Sequence, residues 1–326
     1  MLFRLMKSGS SIASTAIRLV NAGYAVHGMD YEGHGKSDGL QGLVNCFDDV
    51  VDDCSNHFTS VCEQEENKEK MRYLLGESMG GAMALCLHRK KPDYWDGAVL
   101  VAPMCKIADQ LRPSKLVVAF LSRLCNVIPS WRVVPTSQDI IELAFKVPEV
   151  REQIADQLRP SKLVVAFLSR LCNVIPSWRV VPTSQDIIEL AFKVPEVREQ
   201  VRSNPYCYKG RPRLKTGYEC MRISMELENR LSEVLLPFIV LHGEDDKVTD
   251  ISVSKLLHKQ ASSTDKTLKT YPRMWHGLLY GEEPENINIV FSDVIGWLDE
   301  RTSAGNSRLE GERKLAEEDD ALKAKY

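Results

Sequence analysis

The sequence predicts an α/β fold, a mainly parallel sheet covered by helices, and three observations carry that prediction. Short apolar runs of strand length alternate with longer segments whose apolar residues recur at helical spacing. This alternation occupies the chain before residue 105 and returns after residue 235, whereas the stretch between reads as helical pieces broken by prolines. The residues able to do chemistry stand just beyond strand ends.

The elements follow in order. Ile12, Ala13, Ala16, Ile17 and Val20 mark a helix over residues 10–21, which Gly23 stops. A strand over 24–30 comes next, then a turn-rich loop, Glu32-Gly33-His34-Gly35-Lys36-Ser37-Asp38-Gly39, and a helix over 47–61. A short strand at 71–75 runs into Gly76-Glu77-Ser78-Met79-Gly80-Gly81 and a helix through His88, and Gly97-Ala98-Val99-Leu100-Val101-Ala102 is a further buried strand. The second half gives a strand at 238–242, a helix near 252–258, a strand at 266–271 and a helix over 286–298. One core is therefore expected in two parts, 10–104 and 236–302, with a helical cap, 105–235, inserted after the strand that follows the Ser78 helix. Residues 303–326 carry 11 charged side chains and little to bury, which suits a mobile tail.

Composition bounds the function. With 42 basic and 45 acidic residues, a net charge of −3 and 44% hydrophobic residues, the chain reads as an ordinary globular protein and not as a nucleic-acid binder. Nine cysteines, an odd number without a C-x-x-C pair, read as reduced thiols in a cytoplasmic protein. No stretch of about 18 apolar residues occurs, so no membrane span is expected, while peripheral membrane contact through the cap stays open.

Residues 107–153 recur without a single change as residues 154–200. A helical solenoid has a similar period, but it needs three or more units that normally diverge. Two identical copies point instead to a recent tandem duplication or an error in gene assembly, and the second copy reads as an insertion within one domain.

The strongest chemical signal is G-x-S-x-G at Gly76, Ser78 and Gly80, between a predicted strand and helix. A sharp turn there lifts the hydroxyl out of the sheet, and the following helix aims backbone N–H groups at a developing oxyanion. A serine needs a base, and the base needs an acid to fix its tautomer, in the chain order Ser, Asp or Glu, His. Asp245 or Asp246 after the strand at 238–242 and His276 after the strand at 266–271 meet that order. Asp246 is preferred because it stands two residues before Val248, where apolar packing resumes, leaving Asp245 as a turn residue. His27, His57, His88, His242 and His258 read as structural, and none pairs with cysteine at metal-ligand spacing.

These motifs resemble the plant monoacylglycerol lipase family of α/β-hydrolases, which includes caffeoylshikimate esterase and lysophospholipases. The resemblance rests on Tyr24-Ala25-Val26, on Asp30-Tyr31-Glu32-Gly33-His34-Gly35-Lys36-Ser37-Asp38-Gly39, on Gly76 to Gly81, on His242-Gly243-Glu244-Asp245-Asp246 and on Trp275-His276-Gly277, and it spans roughly residues 10 to 302. It implies the α/β-hydrolase fold, with Ser78 as nucleophile, Asp246 as orienting acid, His276 as base and later acid, and Met79 N–H in the oxyanion hole. It further implies a small ester or lipid substrate, an acyl-enzyme resolved by water, no cofactor and no metal.

The sequence departs from this family pattern at its start. Residues 1–9 are too few for the family's N-terminal strands and the His-Gly motif that gives the second oxyanion donor, so those strands are expected to be missing and a central place in the sheet empty. His34-Gly35 belongs to the next loop and reads as turn-stabilising. Weakened activity, or none, is the expectation.

In the cap, helices such as 114–127 present Leu116, Val117, Phe120, Leu121 and Leu124, and the duplicate over 161–174 has no evident place to bury the same face. That duplicate is expected to protrude as an apolar patch. Deletion of residues 154–200 should raise the soluble yield on expression, and an unchanged yield would count against the protruding patch.

Overall fold

The computed structural model describes residues 2–5, 10–106, 187–210 and 213–303. Six parallel strands, β1 (Leu2–Leu5), β2 (Val26–Gly28), β3 (Tyr73–Glu77), β4 (Gly97–Val101), β5 (Phe238–Gly243) and β6 (Lys266–Tyr271), form one sheet in the order β2-β1-β3-β4-β5-β6. Helices α1 (Ser10–Asn21), α2 (Phe47–Cys62) and α3 (Met79–Lys90) connect the first four strands. Between β4 and β5 lie α4 (Ile187–Ala191), α5 (Pro195–Ser203), α6 (Leu214–Glu228) and a 3₁₀ turn, Leu231–Glu233. Helix α7 (Ile251–Gln260) joins β5 to β6, and α8 (Pro284–Ser303) follows.

Every residue of β3, β4 and β5 is buried, as expected for parallel strands covered on both faces. Alternate residues serve opposite faces. Leu74, Ala98, Leu100, Phe238 and Val240 pack with Phe47, Phe58, Met83, Leu85, Ile223 and Leu257 from α2, α3, α6 and α7. Tyr73, Leu75, Val99, Val101, Ile239 and Leu241 pack with Leu19 of α1 and with Val290, Phe291, Val294 and Trp297 of α8. Among the described residues no helix is long and apolar enough to cross a membrane.

Most elements expected from the sequence are present, with three differences. The strand expected over 24–30 is confined to Val26–Gly28 because Asp30 turns away to close a loop, its carboxylate accepting from Lys36 N at 3.0 Å and its carbonyl from Ser37 Oγ at 2.7 Å. The strand expected at 71–75 shifts to Tyr73–Glu77, since its pairing with β4 runs on to Glu77 opposite Val101.

The third difference is a correction. The place expected to be empty, between the strand leading to Asp30 and the strand leading to Ser78, is filled by Leu2–Leu5, paired with Val26–Gly28 on one side and with residues 73–76 on the other. Four residues suffice to satisfy the facing backbone groups of both neighbours. The residues after this strand, Met6-Lys7-Ser8-Gly9, contain no His-Gly pair.

The first copy of the repeat, the predicted 161–174 helix and the charged tail lie outside the described residues. The end of the second copy is described, and it is docked: Ile188, Ala191 and Phe192 are buried and pack with Val197, Val201, Val248 and Tyr280.

Phe238, fully buried in the sheet, gives a measure of this packing. Phe238→Ala should lower the unfolding free energy by about 3–5 kcal/mol in urea titrations. Ile17→Ala, at a residue 58% exposed, should change it by no more than about 0.5 kcal/mol.

Candidate active site

Ser78 lies where β3 gives way to α3, with φ 55° and ψ −116°, a left-handed backbone that costs a non-glycine residue roughly 1–3 kcal/mol. Its neighbours hold it there. Ser78 N donates to Val101 O at 2.9 Å, and its carbonyl accepts from Gly81 N at 3.0 Å and Met104 N at 2.9 Å. The flanking glycines are a matter of space, since a Cβ on Gly76 would stand 2.2 Å from Gly80 O. Met79 opens α3, so its N–H belongs to the first helical turn, where donors lack intrahelical acceptors.

The other two predicted residues meet across the sheet's carboxyl edge. His276, in the loop after β6, is 7% exposed and has Nδ1 2.7 Å from Asp246 Oδ2, in the turn after β5. That approach requires a glycine at 243, because a Cβ there would lie 2.4 Å from both Met274 O and Trp275 O. Backbone bonds then fasten turn to loop, Glu244 N donating to Tyr271 O at 2.9 Å and Asp245 N to Met274 O at 3.0 Å. Asp246, and not Asp245, is the carboxylate that touches His276.

The Asp246 carboxylate, 1% exposed, is saturated with donors. Its Oδ1 accepts from Val248 N at 2.7 Å and Thr249 N at 3.0 Å. Its Oδ2 accepts from Thr249 Oγ1 at 2.8 Å and lies 3.2 Å from His242 Nε2, besides the contact with His276. Burial alone would raise the carboxyl pKa, but the hydrogen bonds from His242 and His276 outweigh it and hold the group well below the usual carboxylate range. An ionised acid facing Nδ1 fixes the tautomer in which His276 Nε2 carries the lone pair.

Three contributors escaped the sequence reading. His242, read as structural, touches the acid. Thr249 bonds the acid through its backbone and hydroxyl, and the hydroxyl also comes within 3.3 Å of His276 Nδ1. The end of the repeat's second copy holds the histidine loop from outside: Gly277 N donates to Ala191 O at 2.9 Å, Lys193 N donates to Gly281 O at 2.9 Å, and Lys193 Nζ donates to Arg273 O at 3.0 Å. The His-x₃-Asp-x₂-Thr spacing after a buried strand is the signal that could have pointed to the first two. His34, as expected, serves its own turn: its Nδ1 lies 2.9 Å from Glu32 O and its N–H donates to Tyr31 O. Among the described residues no group of three or more His, Cys, Asp or Glu is arranged to hold a metal ion.

A family model, Hydrolase_4, described as serine aminopeptidase S33, matches residues 4–284. The chain belongs to this family. Caffeoylshikimate esterase of Arabidopsis thaliana is 29% identical over 287 residues, covering 88% of this chain and 72% of the relative. Monoglyceride lipase of Mus musculus is 24% identical over 282 residues, 86% of this chain and 75% of the relative. Among solved structures, a soluble variant of monoglyceride lipase from Saccharomyces cerevisiae in complex with a substrate analog superimposes with a TM-score of 0.65 at 18% identity, over 92% of this chain and 86% of the other. The monoacylglycerol lipase of Paleococcus ferrophilus gives 0.64 at 18% identity, over 92% and 93%. These likenesses establish the α/β-hydrolase fold. Both relatives carry the names of carboxylic ester hydrolases.

Asp246→Ala should cost about 3 kcal/mol of stability or more at pH 7, because the donors around it lose a buried acceptor. A depressed carboxyl pKa stabilises the fold fully above the unfolded value, about 3.9, and the contribution fades as pH falls below it. The gap between wild type and Asp246→Ala in urea unfolding should therefore narrow progressively below about pH 4.

Proposed function

We propose that the chain is a serine ester hydrolase of the monoacylglycerol lipase type, acting on monoacylglycerol, lysophospholipid or hydroxycinnamoyl esters such as caffeoylshikimate. The observation that carries this reading is the ionised, donor-saturated Asp246 against His276 at the same sheet edge as the Ser78 turn. In the proposed reaction Ser78 Oγ attacks the ester carbonyl while His276 Nε2 takes its proton. The tetrahedral oxyanion forms beside the Met79 N–H. His276 then protonates the departing alcohol, leaving an acyl-Ser78 that water cleaves by the same steps in reverse, with His276 as base. No cofactor enters this scheme.

Relatives named for ester hydrolysis cover most of both chains, which supports the substrate class. In this reading residues 105–235 cap the acyl site and make peripheral contact with lipid surfaces, in a cytoplasmic setting that suits the free thiols of Cys54, Cys86 and Cys105.

The Met6-Lys7-Ser8-Gly9 segment after β1 favours a second reading, a binding protein that has lost turnover, because no His-Gly pair supplies a second oxyanion donor there. One donor is worth about 100- to 1,000-fold in turnover. The proposal therefore expects slow hydrolysis with an intact nucleophile. A fluorophosphonate probe should label the wild-type chain and not Ser78→Ala, and monoacylglycerol turnover should fall below that of the named relatives by about that factor. A folded wild-type chain that takes no label would replace the hydrolase with the binding protein.

A further inference from the structure

We propose that His242 is a positioning residue for Asp246, an inference that rests on the hydrolase reading above. It is fully buried at the end of β5, one residue before the glycine at which the histidine loop makes its closest approach. Its two ring nitrogens face different chemistry. Nε2 lies 3.2 Å from Asp246 Oδ2 and 3.1 Å from the carbonyl of Thr249, while Nδ1 lies 2.7 Å from Ser254 Oγ on α7.

A carboxylate and a carbonyl can only accept. Nε2 must therefore carry a proton, shared between the two oxygens, while Nδ1 is held by the Ser254 hydroxyl. Ser254 is itself fully buried, so its hydroxyl has reason to take that partner. The ring is thereby held from both ends, and the N–H it offers lands on the same oxygen that receives His276. Oδ2 is then approached by His242, Thr249 and His276, while Oδ1 is occupied by two backbone donors. With both oxygens engaged, the carboxylate cannot rotate away from His276 without breaking bonds to the turn and to β5. The titratable groups that His242 faces are Asp246 and, across that carboxylate, His276; Glu244, Asp245 and Lys247 of the same turn are exposed.

The arrangement makes His242 a positioning residue. It acts only through Asp246, and leucine and glutamine variants separate its N–H from its bulk. His242→Leu keeps much of the volume and removes the donor; His242→Gln keeps an N–H at comparable reach. Labelling of Ser78 by the fluorophosphonate probe should slow by about 10- to 100-fold in H242L, the effect of losing one buried charge-assisted hydrogen bond, and should return to within about threefold of wild type in H242Q. In the proton spectrum, the downfield Nδ1 resonance of His276 should move further downfield in H242L, because one fewer donor competes for Oδ2, and should move back in H242Q.

Equal labelling of wild type and H242L would overturn the proposal, as would a H242Q variant no better than H242L. Nitrogen shifts of the His242 ring in the wild-type chain test it without any variant or turnover. A proton on Nε2 is expected, and a bare Nε2 would overturn the assignment even if H242L fails to fold. Failure of the wild-type chain to label would sink the hydrolase reading and leave the ring-nitrogen result to decide whether His242 supports Asp246.

Discussion

The close approach of two chain segments at Gly243 is the constraint on which the site depends. The backbone of the loop after β6 lies where a side chain on residue 243 would have to be, and three consecutive residues of the β5 turn reach Asp246 from that point. Two backbone hydrogen bonds lock the segments, and only then does the acid come within 2.7 Å of His276. Charge follows geometry here: a buried carboxylate is costly unless its lone pairs are filled, and this turn fills them with its own amides and the Thr249 hydroxyl.

The sheet does the corresponding work for Ser78. Parallel strands deliver their carboxyl ends to one edge, so β3, β5 and β6 present their following loops along the same edge although long stretches of chain separate them. The uncommon backbone of Ser78 persists because Val101 and Met104, on and just after β4, supply its hydrogen-bond partners. Strain at the turn is thus balanced by the neighbouring strand, which is why a short, fully buried β3 can end so abruptly.

The placement of Ser78, Asp246 and His276 beyond strand ends was legible in the sequence because each follows a run of apolar residues, and a parallel sheet brings strand ends to one edge. β1 was not legible: Leu2–Leu5 contains an arginine and is too short for periodicity to register, and its place is set by the ladders of β2 and β3. His242 reads as a lone polar residue in a buried strand, and its partnership with Asp246 exists only once the intervening turn folds back. The grip of Ala191 and Lys193 on the histidine loop is mainly backbone to backbone, across more than eighty residues of chain, and such contacts leave little trace in residue identity.

The residues that seat themselves on Gly277 and Gly281 belong to the second copy of the repeat, and the same sequence, Ala144-Phe145-Lys146-Val147, stands once more in the first. The contact thus acts on position and not on sequence: a substitution at Phe192 or Lys193 falls on the loop that carries His276, although identical residues stand 47 positions earlier in the chain.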